Sequence, residues 1–410
     1  MSSKVIIKLP PYGTTARLLV QDFLIFLIRK NGSKPPTVSI ALKRDSVEFS
    51  GPLDVICDWI NGELQRLGDW LDQKLQAKFG DIPLHVNDRK FFKSLGITIP
   101  SKAKFGQVVV NTLKSVNIQP QQLSEFSNTS ISVSRTSSTI ILGTRQNARF
   151  SMFQPLFYER YESGFRFMQG RFGRGRFSLK FSIPWGYLLL AGFAISYAGY
   201  RDQEMFLLHA PEDALPMFSE LVKLKMYYKL SSIEELAKVA FDMISVIEKY
   251  FMNVGLISPR LSSAYYLLFA SVLAQQLGKT FDAPLILLFD RIMVSGRTFS
   301  LISREVLELS SLVNKMIKLK KSTLKEIQRV SRRALIPGFS GREYSIYANT
   351  CSKLFLALSG SLPVTDAAYY YARVLGEYEL SQLKDLEQIN RKKSIISSVV
   401  RDLLQLISCR

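Results

Sequence analysis

The chain has 410 residues, 47% hydrophobic and 21% charged, which is more than one core ordinarily supports and excludes an intrinsically disordered protein. Lysine and arginine number 54 against 34 acids, a formal net charge of +20, and folding gains nothing from that imbalance, so it points to an anionic partner, nucleic acid or a membrane surface. Three scattered cysteines, Cys57, Cys351 and Cys409, exclude a disulfide framework and a zinc site. With the opening MSSKVIIKLPPYG, which lacks the layout of a signal peptide, they lead us to expect a cytoplasmic protein.

In chain order, Val5 to Leu9 reads as a strand and Arg17 to Lys30 as a helix stopped by Asn31-Gly32. Thr37 to Leu42 and Ser46 to Phe49 read as a strand pair turning at Lys43, Arg44 and Asp45, and Pro52 to Phe79 as a long helix, with Gly62 and Gly68 as points where it can break. This order resembles a ferredoxin-like start. Residues 115–138 are polar and lead into a hairpin with Ile131, Val133, Ile140 and Leu142 as inward positions. Strand signals vanish after about Glu212. Ser232 and Glu235 form a capping box ahead of Ile233, Ala237, Ala240, Ile244, Ile247 and Phe251, and Gly255 ends that run. Later helices are expected near Pro259, Asp282, Thr298, Thr323 (boxed with Glu326), Tyr344, Thr365 and Asn390. The fold class is therefore α+β: a mixed α/β and β-rich N-terminal half followed by an all-α helical C-terminal half. Three regions are expected: a mixed α/β region over 1–115, a basic β-rich segment over 116–205, and a helical bundle over 206–410.

The charge is concentrated. Residues 101–200 hold 12 basic side chains against 3 acidic ones, and between Lys315 and Arg342 nine basic side chains face one acid, Glu326. In the first region aromatic residues alternate with cations, strictly so from Arg176 to Ile183, where Phe177, Leu179, Phe181 and Ile183 share one face. The sequence Gly170-Arg171-Phe172-Gly173-Arg174-Gly175 reads as a hairpin tip that projects arginines. Arg166, Arg171, Arg174, Arg176 and Lys180 are the candidate contacts here, because the guanidinium fork suits phosphates and guanine edges. The aromatics themselves read as a half-buried core. In the second region Lys318, Lys321, Lys325, Arg329 and Arg332 step at three- and four-residue spacing. They form a cationic stripe able to track a phosphate backbone, while Met316, Ile317, Leu324, Ile327 and Val330 face the bundle.

Residues 181–200 (FSIPWGYLLLAGFAISYAGY) carry no charge. They meet the length of a membrane span, but Pro184 and the glycines favour a buried strand and a core helix. His85 and His209 stand outside any metal-ligand or nucleophile motif and read as fold residues. Gly278-Lys279-Thr280 lacks the upstream glycine of a phosphate-binding loop, Leu273 standing in its place. Asp54, Asp58, Glu63, Asp69 and Asp72 read as a solvated acidic face. No catalytic residue, metal site or cofactor is expected.

The KVIIKLPPYG opening, the arginine-rich β segment and the helical end together resemble the large subunit of an archaeal type I-A CRISPR interference complex (Cascade). That resemblance implies a non-catalytic ribonucleoprotein subunit in antiviral defence. Such a subunit recognises the short protospacer-adjacent motif (PAM) in double-stranded DNA and stabilises the opened target. Its implied partners are the double-stranded DNA target, a guide-RNA complex, other Cascade backbone and small subunits, and a separate helicase-nuclease, with no membrane. Base pairing then reads the target while protein reads the flanking motif. Two other readings stay open: a membrane-associated scaffold anchored through residues 181–200, and an RNA-binding protein.

Overall fold

A computed structural model describes residues 3–29, 34–78, 82, 84–101, 103–133, 137–151, 153, 176–201, 203–223, 232–254, 262–277, 286–295, 298–335 and 341–408. The protein is α+β and divides into two compact units, residues 1–248 with 287–306, and residues 249–286 with 307–410.

The first unit opens with β1 (Ser3–Lys8), α1 (Thr15–Ile28), β2 (Ser39–Lys43), β3 (Ser46–Gly51) and α2 (Leu53–Lys78), the expected order. The sheet order is β1-β3-β2, with β3 antiparallel to both neighbours. α2 runs through both glycines unbroken. Gly68 is required for closeness, since a Cβ there would lie 2.9 Å from the Lys114 amide. Helices α3 (Val86–Ser94) and α4 (Phe105–Lys114) follow. A mixed sheet comes next, of β4 (Thr129–Val133), β5 (Ser137–Leu142), β6 (Phe150–Ser151) and β7 (Arg176–Phe181) in the order β4-β5-β7-β6. Ile140 and Leu142 are buried as expected, but Ile131, opposite Ile140 on the edge strand β4, is 46% exposed. An edge strand has a neighbour on one side only, so the cover over Ile140 stops short of Ile131.

The uncharged stretch resolves into the end of β7, a helix α5 (Ile183–Ser196) and the start of β8 (Tyr197–Arg201). α5 is buried from Pro184 to Ser196, and all fourteen residues of α1 are buried as well. The two helices lie backbone to backbone: a Cβ on Gly192 would sit 2.0 Å from the Leu19 carbonyl oxygen. A helix that is apolar all round belongs at the centre of a core. Among the described residues no helix is long and apolar enough to cross a membrane.

After β9 (Glu204–His209), α6 (Ala214–Lys223) and α7 (Ile233–Val254), the structure departs from the expected all-helical C-terminal half. The Ser232 hydroxyl does accept from the Glu235 amide, and Leu236, Ala237, Met243 and Ile244 are buried. But the segments expected as helices near Asp282 and Thr298 are strands, β10 (Ile286–Ser295) and β11 (Thr298–Glu308), in a four-stranded sheet ordered β11-β10-β9-β8. Arg304 on β11 holds Asp290 on β10 with two hydrogen bonds of 2.7 and 2.6 Å, and Arg291 on β10 holds Glu204 on β9 with three, of 2.8, 2.8 and 3.1 Å. These pairs satisfy the charges that a strand passing through the core must bury.

The second unit is helical: α8 (Ser263–Leu277), α9 (Ser310–Ile317), α10 (Lys321–Leu335), α11 (Gly341–Ser359), α12 (Val364–Tyr370), a π-helical turn (Tyr371–Gly376), α13 (Glu377–Ser381) and α14 (Leu386–Ser408). The expected cap at Thr323 is absent, because α10 starts two residues earlier. Thr323 is buried and its hydroxyl donates to Asp402 at 2.5 Å.

Candidate nucleic-acid interface

The basic stretch after residue 315 forms two helices rather than one, and the break at Lys318–Lys320 sorts its cations. Lys318 caps the C-terminal end of α9 and is exposed. On α10, Leu324, Ile327, Val330 and Ala334 are buried along one face. At about 100° per residue, Lys321, Lys325 and Arg332 cluster on the opposite face, and all three are exposed. Met316 is buried as expected, and Ile317 only half so. The cationic face is thus a consequence of amphipathic packing, with lysine and arginine where a neutral helix would alternate signs.

Arg329 does not belong to that face. It sits at the stripe's inner edge and turns into the bundle, where its guanidinium grips Glu326 with bonds of 2.7 and 2.7 Å and reaches Glu379 at 2.7 Å. Lys392 bonds the same two carboxylates at 2.8 and 2.5 Å. Tyr371 donates to Glu326 at 2.9 Å and Tyr347 to Glu379 at 2.6 Å. The two acids are matched by two bases bound directly to them, and Arg333 joins at the edge by donating to the Tyr347 hydroxyl at 2.8 Å. Burial pushes the Glu326 carboxyl up, but hydrogen bonds and charge from Arg329 and Lys392 outweigh it and hold the group down at about 2. The same opposition lowers Glu379. Candidate contact Arg329 is therefore a fold residue, committed to internal partners.

In the first unit, Arg166, Arg171 and Arg174 lie outside the described residues. Arg176 opens β7 in register with Ser137, and Lys180 is exposed next to Ser151 of β6 and Ile141 of β5. The base of the β6–β7 pair is anchored by aromatic packing. Phe91 of α3 is fully buried and meets Phe150, Phe153 and Phe181 edge-on, with ring centroids 5.1–5.5 Å apart. Leu179 and Phe181 point inward while Lys180 points out, so the described aromatics are core, as the alternation implies.

The other chemistry-bearing residues serve the fold. His85 caps α3, accepting from the Asn87 amide at 3.4 Å while its own amide donates to Asp88. His209 is buried with Nδ1 2.7 Å from Asp22, whose other oxygen accepts from the Ala210 amide; burial raises the Asp22 carboxyl. The expected acidic face of α2 is incomplete, since Glu63 is buried between Arg29 and Arg66. Asp69 and Asp72 stay at the surface and share Lys114. Among the described residues, no group of three or more His, Cys, Asp or Glu side chains is placed to hold a metal ion. Gly278, Lys279 and Thr280 lie outside the described residues.

Sequence reasoning missed Glu379 as a partner of Arg329 and Lys392 as the second cation on the same carboxylates, because they lie 50 or more residues away along the chain. Comparison of the chain with protein-family models, with curated proteins and with solved structures yields no match.

Proposed function

We propose that the protein is a non-catalytic, double-stranded-DNA-binding subunit of an RNA-guided CRISPR interference complex. In this reading it contacts a short protospacer-adjacent duplex and steadies the opened target. The observation that carries the nucleic-acid part is the exposed cationic face of Lys321, Lys325 and Arg332, backed by a buried apolar face, with exposed Lys318 just ahead of it in sequence. Such a row suits repeated phosphates and reads no bases. Sequence preference is assigned to the arginines of the 145–185 segment, whose forks match base edges. The assignment to an interference complex rests on the resemblance of the chain's layout, and the guide-RNA complex, the other Cascade subunits and the helicase-nuclease are its partners in that reading.

The two surfaces separate in a binding assay. Changing Lys318, Lys321 and Lys325 together to alanine is expected to weaken all duplex sequences alike and to shallow the salt dependence by about one per lost phosphate contact. Changing Arg171, Arg174 and Arg176 is expected to erase preference for a flanking motif while leaving most non-specific affinity. Unchanged salt dependence in the lysine variant removes α10 from the interface. RNA that displaces duplex DNA at equal concentration favours the RNA-binding alternative.

A further inference from the structure

Within the second unit, a cavity of about 600 Å³ opens where the ends of α9, α11 and α14 meet the loop entering α12. That volume lies in the range of ligand pockets, about 300–1,000 Å³. Its walls are apolar, including Leu358, Leu362, Val364 and Leu406, and Lys315 and Lys318 stand in the lining. The loop keeps one shape for a definable reason. Gly360 takes a left-handed φ of +91° at the end of α11, and the Ser361 amide donates back to the Leu356 carbonyl at 2.8 Å. The Lys315 ammonium lies 3.4 Å from where a Gly360 side chain would begin, so glycine leaves room for that cation.

Two neighbouring features narrow the ligand. Lys318, in the cavity lining, is exposed and stands three residues before Lys321, the first of the exposed cations of α10. A single carboxylate would use Lys318 or Lys315 alone, whereas a polyanion could also use the cations of α10. Tyr369 stands one helical turn beyond the cavity residue Thr365, on the same side of α12, with 67% of its surface exposed. An exposed ring one helical turn from the cavity is a stacking platform for a base.

We infer that this cavity is a binding site for an unpaired nucleotide, its phosphate on Lys318 and Lys315, its base among the aliphatic side chains and its neighbour stacked on Tyr369. This rests on the nucleic-acid reading above and adds to it a site for a base out of its duplex.

The test compares three labelled probes on the full chain: a short oligothymidylate, an abasic strand of equal phosphate count, and a duplex. The base-bearing strand is expected to bind about tenfold more tightly than the abasic one, the size of one stacked base. Ser361→Trp, which fills the cavity from an exposed position, is expected to remove most of that tenfold difference, and Tyr369→Ala a smaller part of it. Both should leave duplex and abasic affinities unchanged, which shows that they fold. Equal affinity for base-bearing and abasic strands, with the duplex still bound, overturns the cavity site and spares the proposed function. Failure to bind any of the three probes overturns both.

Discussion

Glu379→Ala is expected to destabilise the helical unit by about 3 kcal/mol, read as a lower urea midpoint for its transition. The figure is the lower end of the cost of removing one partner from a buried ion pair, about 3–5 kcal/mol. Arg329 sets that choice, because its side chain is 33% exposed and water screens part of its charge. Lys392, with 13% of its side chain exposed, has less help from solvent and would be left sharing Glu326 with Arg329. The Tyr347 hydroxyl would also lose its acceptor. A loss under about 1 kcal/mol would show that the network contributes no more than a surface pair.

The same network carries an acid limit. The Glu326 carboxyl is depressed to about 2 in the folded chain, against about 4.3 when unfolded. A depressed carboxyl contributes stability that is complete above the unfolded value and is lost as pH falls through the folded one. The helical unit is therefore expected to weaken between about pH 4.3 and 2, and Glu326→Gln to flatten that slope while lowering stability near neutrality. An unchanged acid slope in the variant would assign the titration to other carboxylates.

Phe91→Ala carries the second large expectation, a loss of about 3–5 kcal/mol from the first unit, as for other fully buried phenylalanines. Phe91 is the ring on which Phe92, Phe150, Phe153 and Phe181 converge, so its removal opens a cavity under β6 and β7 together. Amide exchange along β7 should quicken more than exchange along β1 or β3, which belong to a different sheet. Uniform exchange, or a loss below about 1 kcal/mol, would contradict its role as the anchor of this strand pair. Since that pair frames the arginine-rich segment, the variant should also blunt preference among duplex sequences.

The N-terminal order was legible because each element ends at a signal of its own: Pro10 after β1, the Arg44-Asp45 turn between β2 and β3, and Pro52 before α2. The β10–β11 hairpin was not. Ile286 to Ser295 (ILLFDRIMVS) is a long apolar run whose periodicity does not separate a buried strand from a buried helix. The dipeptide Gly296-Arg297 between the two runs is a Gly-X sequence, a hairpin signal that favours the strand reading of both runs. The cationic row was legible as spacing, and its buried face followed from the same spacing. Arg329 fits that spacing and still faces inward, because Glu379 arrives from a helix distant in sequence. The cavity had no sequence signal, being assembled from the ends of three helices and a loop.

In the proposed function the cationic surfaces bind the phosphate backbone of DNA. A titration of the nucleic-acid-free chain onto a labelled duplex across a salt series tests it most directly. Contact with about six phosphates predicts a log–log slope of affinity against salt near −5. A slope near zero, or no binding at low salt, would rule out binding of the DNA backbone by these surfaces.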